Sequence, residues 1–180
     1  RFASGNPVTA DAVKYSLLRG IKQKMFPSWM LSQCIDENAD QVVDQHTLQI
    51  SLSKPYAPLL AILSSVVAGV VDPKVIAEHE QNGDMGKAWL KDHSAGSGPF
   101  VVESWQPKDR IVLVRNQKYW GQAPQLDQIV FLVVPEASSQ AAMLEKGDVD
   151  VAQDLLPEQV EQLLAKGGFQ KVELPDTVPY

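Results

Sequence analysis

Apolar residues first fall into a helical rhythm at Val13, Leu17, Leu18 and Ile21. Recurrence every three or four residues puts them on one stripe and predicts a helix from Ala10 to about Lys24. Thr9 precedes it, with a hydroxyl able to accept an orphan amide of the first turn. Arg19, Lys22 and Lys24 fall late, at the negative end of the helix dipole. After Pro27, Ser28 to Cys34 predicts a short second helix. The rhythm then changes to alternation. Gln41 to Val43 and Thr47 to Leu52 predict a hairpin turning at Asp44-Gln45-His46, with Leu48, Ile50 and Leu52 on its buried face. Pro58 to Leu63 predicts a short buried helix, Lys74 to about Gln81 another, and Gly86 to His93 a weaker one, with a turn at Asn82-Gly83-Asp84.

Ser94 to Pro99 is the strongest break, and the pattern beyond it is β. Phe100 to Trp105 and Arg110 to Arg115 flank Pro107-Lys108-Asp109 as a hairpin. Leu126 to Val134, rich in β-branched residues, predicts a third strand. A helix from Ser138 to about Lys146 follows, with Ser138 as its cap and Gly147 as its stop. Val149 to Ala152 predicts a short strand. Pro157 opens a helix to about Lys166, since its missing amide costs nothing in the first turn. Gly167-Gly168 ends it, and Phe169 to Leu174 predicts a last strand. The fold class is therefore α+β, or mixed α/β, divided at the glycine-rich break into residues 1–95 and 96–180.

Composition narrows the function more than the fold. Of 180 residues, 22 are acidic and 16 basic, for a net charge of −6. Nucleic-acid binding needs clustered Lys and Arg against phosphates, so no nucleic-acid partner is expected. Cys34 is the single cysteine, which precludes an internal disulfide and suits a small buried hydrophobe. The longest apolar run, Leu59 to Val71, is interrupted by Ser64, Ser65 and Gly69 and is too short to span a membrane. The first residues, Arg1 to Gly5, lack the apolar segment of a signal peptide. They read as following a leader removed upstream, or as the start of an excised piece.

Catalytic and metal motifs are absent. There is no phosphate-binding Gly-x-x-x-x-Gly-Lys loop, and Gly96-Ser97-Gly98 lacks the elbow of the α/β-hydrolases. Asp36 to Asp40 begins like a calcium loop, but the sixth and twelfth positions hold Gln41 and Thr47 in place of Gly and Glu. His46, His79 and His93 are scattered and no zinc spacing occurs. Glu78 with Glu80, and Asp148 with Asp150, read as solvated faces. No catalytic residue, metal site or cofactor is expected.

Three segments resemble the family 5 extracellular solute-binding proteins, which serve dipeptide, oligopeptide and nickel importers. Phe2 to Ser16 carries Gly5, Pro7-Val8-Thr9-Ala10 and a helix start at Asp11, departing from the family at Ala12, where an acid is common. Gly96 to Gly121 reads Gly-Ser-Gly-Pro, a hairpin, Arg115-Asn116 and Tyr119-Trp120-Gly121, with Ser97 where Thr is usual. Leu126 to Val151 resembles the family's strand, helix and Gly147-Asp148-Val149-Asp150 ending. The resemblance implies part of a two-lobed periplasmic-binding-protein-like fold of the peptide-binding type, here a stretch of the first lobe from a longer chain.

It further implies a non-enzymatic protein that captures a small molecule or peptide, closes on it, and docks on the membrane subunits of an ABC permease. The location implied is periplasmic or extracellular, free or lipid-anchored in the parent. By position, Met25 to Trp29 and Ser64 to Gly69 resemble loops that line the family's ligand cavity, so Trp29, Ser64, Ser65 and Val66 are the candidate ligand-binding residues. In nickel binders such loops present Arg to an anionic metal complex. The second loop here has neither Arg nor Lys and suits an uncharged or peptide-like ligand, though core packing accounts for Val66 and Val67 equally well. Arg115 is read as holding a local acid or carbonyl. A ligand-sensing module of a transcriptional regulator is the alternative reading, and a peptide-directed hydrolase, which would need a nucleophile–base pair, a third. The stretch taken alone could dimerise through apolar surface that the missing lobe would cover.

Overall fold

Helix α1 (Ala10–Lys22) forms where the apolar stripe predicted it. Thr9 caps it through a 3.3 Å hydrogen bond from the amide of Ala12. Asp11 lies in the first turn and Arg19 and Lys22 in the last, both favourable to the helix dipole. Lys24, expected inside the helix, instead adopts a left-handed φ of 48° just beyond its end. Leu17 and Ile21 enter a core with Leu31, Cys34, Ile35 and Ile62. A buried leucine of this kind is worth about 1.5–3 kcal/mol. Cys34 is fully buried there, as a small hydrophobe, and burial pushes its thiol pKa up. The computed structural model describes residues 1–24, 26–35 and 41–173. The calcium-like run at 36–40 lies outside the described residues.

The second helix is shorter than expected, α2 (Trp29–Ser32). Strands β1 (Gln41–Asp44) and β2 (Thr47–Gln49) pair antiparallel around the predicted turn. The carboxylate of Asp44 accepts the amide of His46 at 2.8 Å to tighten it. The alternation through Leu52 correctly marks the core-facing side, since Leu48, Ile50 and Leu52 all pack on the core. Pairing nonetheless stops at Gln49, and Leu52 makes only an isolated bridge to Ile35. Helix α3 (Leu59–Leu63) and a 3₁₀ turn, Val66–Ala68, follow. Helix α4 (Pro73–His79) begins at Asp72, whose side chain accepts the amide of Lys74. The weaker helix expected over 86–93 reduces to a 3₁₀ turn, Trp89–Lys91. Left-handed φ values at Met85 and Gly86 precede that turn and are incompatible with a helix start. Trp89 stacks between His79 and His93, with ring centroids 4.4 and 4.6 Å away.

Strands β3 (Phe100–Gln106) and β4 (Arg110–Arg115) form the predicted hairpin, with a bulge between Val102 and Ser104. Strand β5 (Gln128–Leu132) adds to β4, giving the order β3-β4-β5. Asn116 is buried after β4 and clamps the glycine-rich break, donating to the carbonyl of Gly98 at 2.8 Å. Arg115 holds the approach to β5 through the carbonyls of Gln125 and Leu126 and an ion pair with Asp127. Local anchoring is thus its role.

Contacts group the chain into residues 1–131 and 132–180, so the glycine-rich break lies inside the first group. The second group holds α5 (Ala137–Lys146) and α6 (Pro157–Lys166). Glu136, not Ser138, occupies the cap position of α5, and no side chain caps it. Gly147 stops the helix at a left-handed φ of 78°, with the amides of Gly147 and Asp148 returning to Leu144 and Met143. The strands expected at 149–152 and 169–174 are not present among the described residues, and Leu174 lies outside them. β-Propensity does not make a strand without a neighbour to share its hydrogen bonds, and none lies alongside among the described residues. No described helix is long and apolar enough to cross a membrane.

Candidate functional site

A cavity of about 300 Å³ opens on the first group of residues, between one face of α1 and two loops. Helix α1 contributes Ser16, Arg19 and Gly20. Ala12, Ser16 and Arg19 recur at i, i+4 and i+7, a second face beside the apolar stripe, and all three are buried. The hydroxyl of Ser16 donates to the carbonyl of Ala12 at 2.7 Å and accepts the amide of Val71 at 3.0 Å. It thereby pins the segment after the 3₁₀ turn against the helix. Arg19 is held from the other side, with Nε donating to the carbonyl of Met85 at 2.8 Å. Gln23, one turn further on, donates to the carbonyl of Asp84.

Phe26, Pro27 and Ser28 form a second wall, and Val66, Val67 and Val70 dominate the third. Phe26 is 90% exposed and Val66 78%. Among the described lining residues Arg19 is the one ionisable side chain. No group of three His, Cys, Asp or Glu side chains able to hold a metal occurs among the described residues. The chemistry available is therefore contact, hydrogen bonding and a fixed positive charge. The lining pairs no nucleophile with a base.

The described parts of both loops singled out in the sequence reach this cavity, but the individual residues fare differently. Val66 lines it. Trp29 opens α2, half-exposed, and is not in the lining. The hydroxyls of Ser64 and Ser65 turn back to the carbonyls of Ala61 and Ile62 at 2.8 and 2.7 Å, and neither residue lines the cavity. Arg19 and Phe26 were not singled out. The spacing of Ala12, Ser16 and Arg19 was the available signal for the first. A bulky aromatic between lysines and a proline was a faint one for the second.

A second, shallower depression of about 240 Å³ lies on the other group, between α5 and α6. Its rim carries an exposed Lys166–Glu145 pair at 2.6 Å. Pairs of this exposure contribute little.

A mostly apolar cavity with one buried cation on a mixed α/β frame describes a binding module. Comparison with known proteins makes the class specific. The family described as bacterial extracellular solute-binding proteins, family 5, middle, matches residues 1–180. The chain belongs to that family. It is 36% identical over 176 residues to the "Probable D,D-dipeptide-binding periplasmic protein DdpA" of Escherichia coli K12, covering 98% of this chain and 33% of that protein. Among solved structures it resembles the periplasmic binding protein DppA of Helicobacter pylori in complex with peptide STSA. There the TM-score is 0.75 at 28% identity, over 87% of this chain and 32% of that one. It also resembles MoaA of A. tumefaciens R10 in complex with mannopinic acid, with a TM-score of 0.79 at 27% identity, over 92% and 32% of the two chains. These neighbours are two-lobed periplasmic binding proteins of the peptide-binding type, and the mixed helix-and-sheet fold is theirs. The chain spans about a third of the length of the curated relatives it matches.

Proposed function

We propose that this chain supplies part of the first lobe of an extracytoplasmic solute-binding protein for ABC-transporter uptake, with a dipeptide or oligopeptide as ligand. The observation that carries the reading is the cavity walled by α1 and the loops at 26–28 and 66–71. It is preformed, largely apolar and furnished with a single fixed charge, as small-molecule sites are. The similarity to a D,D-dipeptide-binding protein and to a peptide complex supports a peptide-like ligand. It also favours import over the regulator reading. In this reading the protein acts by binding and not by turnover, in keeping with a family of solute-binding proteins.

Residues 1–95 and 96–180 both belong to the first lobe in this reading. Hydrogen bonds tie them together, from the amide of Ala3 to the carbonyl of Gly96 and from Lys118 Nζ to the carbonyl of Ser4. Ligand closure by the second lobe and docking on a membrane permease complete the cycle. The location is periplasmic or extracellular, free or lipid-anchored, and an isolated stretch of this length dimerises through uncovered apolar surface.

A thermal-shift screen of the full-length protein tests the assignment. Dipeptides to hexapeptides, oligosaccharides and nickel are the candidates. A ligand at 100 times its Kd stabilises the folded state by about 2.7 kcal/mol, a readily measured rise in Tm. A rise with peptides supports the proposal. A rise only with nickel or a sugar keeps the binding role and removes the peptide.

A further inference from the structure

We infer that Asp84 is a positioning residue for the cavity: it shapes the loop that holds Arg19 in the cavity wall, and ligand affinity depends on it through Arg19. The inference rests on the peptide-binding reading above and adds a residue to it.

The loop between α4 and the 3₁₀ turn at Trp89–Lys91 has a costly backbone. Asn82 and Met85, neither of them a glycine, hold left-handed φ values of 52° and 49°. A side chain in that conformation crowds the following carbonyl, so such residues persist only where their surroundings fix them. The half-buried Asp84 carboxylate does the fixing. Its Oδ1 accepts the amides of Gln81 and Gly86 at 3.0 and 2.9 Å, and its Oδ2 accepts the amide of Ala88 at 2.9 Å. A Cβ added at Gly86 would meet Ile76 Cγ2 at 3.0 Å, so the loop also seats closely on the buried Ile76 of α4. So shaped, the loop turns two consecutive carbonyls toward α1. That of Asp84 accepts Gln23 Nε2 and that of Met85 accepts Arg19 Nε, each at 2.8 Å. The Asp84 carboxylate also attracts the Arg19 guanidinium electrostatically. One residue thus both shapes an acceptor for Arg19 and supplies it with a counter-charge. Arg19 is buried and lines the cavity, whereas Asp84 and Met85 lie outside the lining. Asp84 therefore reaches a ligand through Arg19 and not by touching it. A long side chain left free to swing must be frozen each time a ligand packs against it, at a cost in affinity.

Calorimetric titration of the full-length protein with the peptides Ala-Ala and Ala-Leu-Ala tests this, with circular dichroism checking the fold of each variant. Asp84→Ala is expected to weaken binding about threefold to tenfold, the cost of one freed long side chain. Asp84→Asn keeps Oδ1 as an acceptor but loses the charge, so its affinity should fall between those of Asp84→Ala and the unsubstituted protein. It also serves every comparison if Asp84→Ala does not fold. The deciding readout is a double-mutant cycle with Arg19→Met, which keeps the stem of the wall and removes the tethered guanidinium. In that background the Asp84 substitution should change affinity no further, because its route to the ligand is gone. A merely structural role would instead lower affinity in both backgrounds alike. Unchanged affinity in the Asp84 variants, or additive losses in the cycle, would overturn the inference and leave peptide binding intact. No heat from the folded, unsubstituted protein with either peptide would overturn the peptide reading and this inference with it.

Discussion

Asp72 is buried, and hydrogen bonds rather than an ion pair hold its charge among the described residues. Ser4 Oγ and Asn6 Nδ2 donate to one carboxylate oxygen at 2.5 and 2.8 Å, and the amide of Lys74 donates to the other at 3.0 Å. Burial pushes the carboxyl pKa up, but these bonds and one from the amide of Val75 outweigh it and hold the pKa below its ordinary value. A depressed carboxylate stabilises the fold above its unfolded pKa of about 3.9 and loses that contribution as pH falls through the folded value. The urea midpoint of the full-length protein should therefore fall on acidification below about pH 4, and Asp72→Asn should flatten that dependence. Asp72→Ala removes the acceptor for Ser4 and Asn6 and the cap of the α4 start and should cost about 0.5–2 kcal/mol at neutral pH.

At the scale of elements, α1 serves two neighbours from two faces. Leu17 and Ile21 fill the core, while Ser16, Arg19 and Gly20 wall the cavity. A Cβ added at Gly20 would meet Ser28 Cβ at 3.9 Å and the carbonyl oxygen of Val67 at 4.0 Å, ordinary contact distances. Gly20→Ala should raise stability by about 0.4–1 kcal/mol by restricting the unfolded chain, while narrowing the cavity and weakening ligand. Denaturant melts paired with titration of one tripeptide separate the two effects. The entry to β5 offers a contrast within one ion pair. Asp127 is 91% exposed, so Asp127→Ala should change stability by less than about 0.5 kcal/mol. Arg115→Ala also removes the anchor on two carbonyls and should cost about 1–2 kcal/mol. Equal losses in urea melts would show that the ion pair, not the carbonyl clamp, fixes this segment.

The same elements show how much the amino-acid order discloses. Where local pattern and tertiary partner agree, as in α1, the β3–β4 hairpin and α6, the predicted spans hold to within about two residues. They part where a partner decides. Val149 to Ala152 carries strand-forming residues but finds no strand beside it among the described residues, and β2 stops at Gln49 while its alternation runs on to Leu52. The segment around Gly86 fails for a backbone reason, two left-handed residues in a row.

For the whole molecule, family and fold were legible because their motifs are local turns and hairpins. The cavity was legible only as two loops. Its third wall belongs to a helix whose apolar stripe drew attention from the small and charged face beside it. Ser64 and Ser65 illustrate the limit, since their place in the sequence adjoins the cavity while their hydroxyls are spent on backbone carbonyls. Trp29 likewise neighbours the lining without joining it.

The His79–Trp89–His93 stack carries an optical consequence. A protonated imidazole over an indole face is attracted to it and also accepts an excited electron, which extinguishes emission. Trp89 has an imidazole on each face, whereas Trp29, Trp105 and Trp120 are 49%, 43% and 71% exposed. Trp89 should therefore be dim in the folded protein and brighten in His79→Ala or His93→Ala. Because the sandwich lasts only while α4 and the 3₁₀ turn remain together, the indole is a lamp wired to that part of the chain. Its switching, followed by steady-state emission during a melt, reads out the opening of the first group of residues without any added label.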